Sequence, residues 1–262
     1  MSVAARRTVP AGVAILAGVG ALFVTLPLLA LLVRTPWSDL SGSLSRSGAW
    51  TALRVSLVVS LAASALSLLL GVPLAFVLAR SHIPGRALLR AVALLPLVLP
   101  PVVGGIALLA ALGRSGLIGR WLGHAGIQLT FTTLGAVIAT AFVSIPLVVL
   151  ATETGLRAIS TGFEEAARVA GASRWYILRR VTLPMLRSQI LAGGVLAWAR
   201  ALGEFGATIT FAGNLPGRTQ TLPLSVFVAQ QRDPGGAVAT SLILVVVSVA
   251  VLVLMRKRLF AA

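Results

Sequence analysis

Residues able to do chemistry are scarce in this chain. The best placed are Arg200 and Glu204, opposite charges four residues apart inside an otherwise apolar run. If that run is a helix starting near residue 189, they share a face and lie about 17 and 23 Å along it, at 1.5 Å per residue. A charge at the centre of a membrane-spanning helix costs about 2.5–3.5 kcal/mol, so such residues pair or face a cavity. Two readings fit: a mutually neutralised couple that shapes its own helix, or a structural bridge to another helix. Other chemistry is poorly supplied. The absence of cysteine excludes disulfides, thiolate metal sites and a cysteine nucleophile. His82 and His124 stand alone without the spacing of metal ligands, so no metal is expected. A phosphate-binding loop needs G-x-x-x-x-G-K-[ST], and the single lysine, Lys257, is followed by Arg258. The chain cannot be its own P-loop ATPase, and neither a catalytic residue nor a cofactor is expected.

The elements that position these residues follow from composition. Of 262 residues, 58% are apolar and 11% charged, against about 25% charged in a soluble domain. An all-α integral membrane protein is predicted. Apolar runs at 11–33, 51–79, 91–112, 133–152, 189–212 and 236–255 predict six transmembrane helices. The first follows Arg6-Arg7 and exceeds the roughly 7–15 residues of a signal-peptide apolar region, so it reads as a retained span. A net charge of +16 would suggest nucleic acid in a soluble chain. Here it fits the basic bias of cytoplasmic loops, and no nucleic-acid partner is expected. With the N-terminus inside, 14 basic residues fall on inner segments and 7 on outer ones, which predicts both termini in the cytoplasm.

Two stretches depart from plain spans. Leu94 to Gly105, LLPLVLPPVVGG, sets three prolines and two glycines in one span. Its freed carbonyls must meet protein or water, which fits a wet cavity or a kinked packing helix. Between the fourth and fifth spans, Glu153 to Ser188 holds three of the six acidic residues and six arginines. Thr161 and Glu164 have capping-box spacing, predicting a short helix from Gly162 to about Ala170. Gly171 suits a turn with positive φ, and Ser173 can cap a second helix ending near Pro184. Such a pair of helices suits a surface that docks a partner, or a hairpin on lipid headgroups anchored by Trp175 and Tyr176.

Within that loop, Glu165-Ala166-Ala167, three residues, Gly171, nine residues, then Val181-Thr182-Leu183-Pro184 resembles the E-A-A-x3-G-x9-I-x-L-P signature of ABC-importer permeases, with Val181 in the isoleucine place. LPLVLPPVVGG (95–105), GRSGLIG (113–119), ARALGEFGATITF (199–211) and GNLPGRTQTLP (213–223) are similar to molybdate permeases and, less closely, to their sulfate and tungstate relatives. The resemblance covers about residues 50–255. It implies a type I ABC-importer permease domain there, preceded by an accessory helix and outer loop (1–49) and followed by a short cytoplasmic tail (256–262).

The resemblance further implies that Glu165, Ala166, Ala167 and Gly171, with Glu164 beside them, meet a cytoplasmic ABC ATPase. The implied assembly is a homodimer of permeases in the lipid of a bacterial plasma membrane, an ATPase dimer, and an extracytoplasmic oxyanion-binding protein. Transport would proceed by alternating access. A tetrahedral dianion needs donors that do not hold it too strongly, since conduction requires release. Pro100 and Pro101 at the broken helix, the Arg200–Glu204 pair at the gate, and Thr208 and Thr210 are the candidates for the path. Ordinary helix packing is an equal reading of the threonines. The alternatives are a sulfate, thiosulfate or tungstate permease of the same fold and, from another class, a carrier driven by an ion gradient.

Overall fold

The computed structural model describes residues 10–259, so Arg6, Arg7 and the last three residues of the expected tail lie outside the described residues, as do the side chains of Arg256, Lys257 and Arg258. Among the described residues the regular structure is all helical, without strands. Helix α1 (Ala11–Arg34) buries none of its residues. A 3₁₀ turn (Trp37–Asp39) leads to α2 (Leu40–Arg46), where Arg46 bonds Asp39 at 2.6 Å and lies 3.8 Å from Asp233. The hydrogen bond to Asp39 raises the Arg46 pKa further. Gly48, at φ 66°, turns the chain into α3 (Ala49–Arg80). Then follow α4 (Arg86–Val98), α5 (Pro101–Leu112), α6 (Gly119–His124) and α7 (Thr133–Ala158). The loop helices are α8 (Gly162–Val169) and α9 (Arg174–Ile177). A π turn (Leu178–Thr182) joins α9 to α10 (Leu183–Leu202), and α11 (Gly206–Ala212), α12 (Leu222–Arg232) and α13 (Pro234–Leu259) complete the chain.

The centre is built from α3, α7 and α10. On α3 the buried positions Ala52, Ser56, Ser60, Ala63, Ser67, Gly71 and Ala75 recur every three or four residues, a seam of small side chains along one face. Apolar lipid offers no hydrophobic reason for helices to associate, so close backbone approach and polar contacts must hold them. A Cβ on Gly71 would sit 3.0 Å from Val148 of α7, and one on Gly194 of α10 would sit 3.0 Å from Leu68 of α3. Ser64 donates to the Gly194 carbonyl at 2.7 Å, and the Trp198 indole donates to Ser60 at 3.0 Å.

Four helices, α1, α3, α7 and α13, are long and apolar enough to cross a membrane unbroken. The other two expected spans are interrupted, the first at the prolines where a broken helix is expected and the second where none is. The run 91–112 breaks at Leu99-Pro100: both residues are extended (ψ 137° and 131°), and the consecutive prolines remove two N–H donors. The run 189–212 breaks at Gly203–Phe205, between α10 and α11. Helix α7 runs six residues past its expected end, so Glu153 lies in its last turns rather than in the loop. The second loop helix does not end near Pro184. Leu178 and Leu183 keep right-handed helical dihedrals, and Pro184 sits in the first turn of α10. There its missing N–H is tolerated, and the wider π turn before it relieves the ring.

Candidate functional site

The α8–α9 turn closes as its glycine demands. Gly171 has φ 83°, its N–H donates to the Arg168 carbonyl at 2.9 Å, and Ala172 N–H donates to Ala167 at 3.0 Å. These two bonds are the Schellman pattern. A Cβ at Gly171 would meet nothing within 4 Å, so backbone conformation rather than crowding selects glycine. The Ser173 hydroxyl accepts from Tyr176 N–H at 3.2 Å, as expected of an N-cap.

The capping box does not form. Thr161 has helical dihedrals and its side chain caps nothing, while Gly162 N–H donates to Ser160 instead. Glu164 turns inward: it is buried, accepts from the Thr182 hydroxyl at 3.1 Å, and lies 3.5 Å from Arg80 and 3.9 Å from Arg168. A buried carboxylate gains more from two charged partners and a hydroxyl than from one local N–H. Arg80 also donates to the Ile159 carbonyl at 3.4 Å, so the end of α3 holds the start of α8 and the segment that leads into it. Nearby, buried Glu153 accepts from Arg90 of α4 and, at 2.9 Å, from Arg157. Sequence reading missed these clamps, although Glu153 and Arg157 carried an i,i+4 signal.

What the turn presents outward is different. Glu165, Ala166 and Gly171 are exposed, and Ala167 is half-buried. Phe163, Val169 and Trp175 are also exposed, Val169 by 90%.

At the opposite ends of two broken spans, the interruptions meet. A Cβ on Gly206 would lie 2.9 Å from Pro101 Cβ, and one on Gly105 would lie 2.6 Å from Thr210 Cβ. Helices α5 and α11 thus begin side by side, with Pro100 and Pro101 at the start of α5. Glu204 sits in the second break rather than on a helix face shared with Arg200. Its side chain is buried and accepts from Arg200 at 2.6 Å and from Ala207 N–H at 2.7 Å. The carboxylate is both ion-pair partner and cap of α11, favoured by the positive N-terminal end of that helix. Thr208 is fully buried and shares a hydrogen bond with Thr140 at 3.3 Å. Thr210 donates to the Gly206 carbonyl at 2.7 Å. Both hydroxyls are therefore engaged within the fold.

Residues 67–259 match the family model described as binding-protein-dependent transport system inner membrane component. The molybdenum transport system permease protein ModB of Mycobacterium tuberculosis (strain ATCC 25618 / H37Rv) is 48% identical over 87% of each chain. ModB of Escherichia coli (strain K12) is 44% identical over 81% of this chain and 93% of its own. The sulfate transport system permease protein CysT of Escherichia coli (strain K12) is 36% identical over 93% of this chain and 91% of its own. Among solved structures, a bacterial ABC transporter involved in the import of the acidic polysaccharide alginate superposes with TM-score 0.71 at 20% identity, covering 92% of each chain.

Proposed function

The chain belongs to the binding-protein-dependent transport system inner membrane components, and from that membership we propose that it forms the membrane path of a molybdate importer driven by a separate ATPase. It is a multi-pass membrane permease with the fold of ABC-importer permeases. The observation that carries the finer reading is the α8–α9 turn, whose glycine-closed geometry exposes Glu165, Ala166 and Val169 while Glu164 fastens it inward to α3. A turn so fixed can receive force from a docked ATPase without swinging freely.

In this reading two copies of the chain face each other, with both termini and the α8–α9 turns in the cytoplasm. Nucleotide closure of the ATPase dimer draws the turns together and opens the path outward, where a binding protein delivers the oxyanion; hydrolysis resets it. The paired breaks near Pro101 and Gly206 lie on the gate. There the Arg200–Glu204 couple stabilises α11 without presenting unbalanced negative charge to an anion. Molybdate is favoured over sulfate by the identities of the ModB relatives. A sulfate permease is the second reading, supported by a CysT likeness that extends over 93% of the chain.

Reconstitution with the ATPase and binding protein tests this. ATP-dependent uptake of radiolabelled molybdate, insensitive to uncouplers and abolished without the ATPase, is expected. Uptake collapsed by uncouplers instead would establish a gradient-driven carrier, and sulfate competing at equal concentration would favour the second reading.

A further inference from the structure

We propose that Arg54, Arg218, Thr51 and Thr133 form an oxyanion-binding site at the end of the bundle opposite the α8–α9 turn. These four line a cavity of about 420 Å³ with Val55, Val58 and Gly217. On α3, Thr51, Arg54, Val55 and Val58 recur at helical spacing and share one face. Arg54 lies 26 residues before Arg80, the clamp of the α8–α9 turn, or about 39 Å along the helix. The proposal rests on the importer reading, in which the anion arrives at the end away from the ATPase.

The loop carrying Arg218 is held in place. The N–H groups of Arg218, Thr219 and Gln220 all converge on the Leu215 carbonyl at 3.1, 2.9 and 3.0 Å, and the buried Thr219 hydroxyl accepts from Leu215 N–H at 2.9 Å. Thr133 at the start of α7 donates to the Arg218 carbonyl at 3.0 Å. On the other side, Leu222 N–H donates to Ser56 of α3 at 2.6 Å. The loop is thus pinned to both helices that contribute to the cavity, and Arg218 is brought to the face bearing Arg54.

Charge accounting shows what the cavity lacks. All six acidic residues are among the described ones. Asp39, Asp233, Glu153, Glu164 and Glu204 are each within 4 Å of some other arginine. The sixth, Glu165, is on α8 at the far end of the bundle. Among the described residues no acidic side chain pairs with Arg54 or Arg218, and like charges sharing a cavity repel unless an anion joins them. Two guanidinium groups and the Thr51 hydroxyl match a tetrahedral oxyanion, while Thr133, whose hydroxyl proton is engaged by the Arg218 carbonyl, holds that arginine in place. Since one water occupies about 30 Å³ of liquid, the cavity also holds part of the ion's hydration shell. That keeps capture weak enough for onward release.

The test is equilibrium binding of radiolabelled molybdate to the nucleotide-free permease–ATPase complex in nanodiscs of phosphatidylcholine or of phosphatidylglycerol. Arg54→Gln or Arg218→Gln should weaken binding roughly tenfold each, and the double variant about a hundredfold. Arg120→Gln, which removes a charge at the same end of the bundle, should leave it unchanged. An equal loss with Arg120→Gln, or no saturable binding to the wild-type complex, would overturn the site. Binding seen only in phosphatidylcholine would assign the cavity to a lipid phosphate, and unchanged binding with loss of binding-protein docking would assign it to that protein; either result overturns the proposal. ATP-dependent uptake by the same wild-type preparation separates the two readings. Uptake with arginine-independent binding removes only this site, whereas arginine-dependent binding without uptake removes the importer reading and leaves the site standing.

Discussion

Removing the Glu204 carboxylate deprives Ala207 N–H of its acceptor and Arg200 of its partner at once. Glu204→Gln keeps the acceptor and loses only the charge. Glu204→Ala should therefore be less stable than Glu204→Gln by about 1 kcal/mol, the worth of a helix cap, read as a lower Tm in detergent. If Glu204→Gln leaves transport, assembly and coupled ATPase activity all unchanged, the neutralised-pair account of the gate is wrong. The two neighbouring glutamates of α8 should separate in the same way. Glu164→Ala leaves Thr182 and Arg80 without their buried acceptor, a loss of about 1–3 kcal/mol. Glu165→Ala touches only an exposed side chain, and should leave Tm unchanged while weakening ATPase coupling. Thermal unfolding and binding-protein-stimulated ATPase activity, measured on both variants, check this split. The capping-box expectation for Glu164 fails because two of its partners, Arg80 and Thr182, are remote along the chain, and Thr161 and Arg168 were the local signals.

Among the elements, the small-residue seam makes a sharp prediction. Gly194→Leu forces a side chain against Leu68, and overpacking of this kind costs about 1–3 kcal/mol. Gly18→Leu on α1, where nothing lies within 4 Å, should be neutral. Yields and Tm of the two variants in detergent should differ accordingly. Gly171→Ala should lose about 1–2 kcal/mol of turn stability, because φ 83° is disfavoured for alanine even in open space. The positions of α1, α3, α7 and α13 were legible because unbroken apolar runs need little else. The break at Pro100-Pro101 was legible as an irregularity, since consecutive prolines announce themselves. The break at Gly203–Phe205 was not. An arginine and a glutamate at helical spacing look like a continuing helix until the carboxylate is seen capping Ala207.

For the whole molecule, the central bundle of α3, α7 and α10 owes nothing to α1, none of whose residues is buried. Deleting residues 1–34 should leave the Tm of the purified permease and its ATP-dependent uptake in proteoliposomes close to those of the full chain; loss of folding would show that α1 does more than line the bundle in lipid. A different property of the whole follows from the unbroken passage of α9 through the π turn into α10. From Arg174 to Leu202 the backbone is one stiff lever of about 40 Å. Its near end carries the Gly171 turn, and its far end stops at the break that holds Glu204. A push on the turn would reach that break as rotation or sliding of a single shaft, and the π turn sets the angular phase between its ends. Inserting one alanine after Leu191, in the α-helical part of the shaft, would turn one end against the other by about 100°, the angle of one residue in an α-helix. The clutch would then slip: ATP would still be hydrolysed, and nothing would be carried.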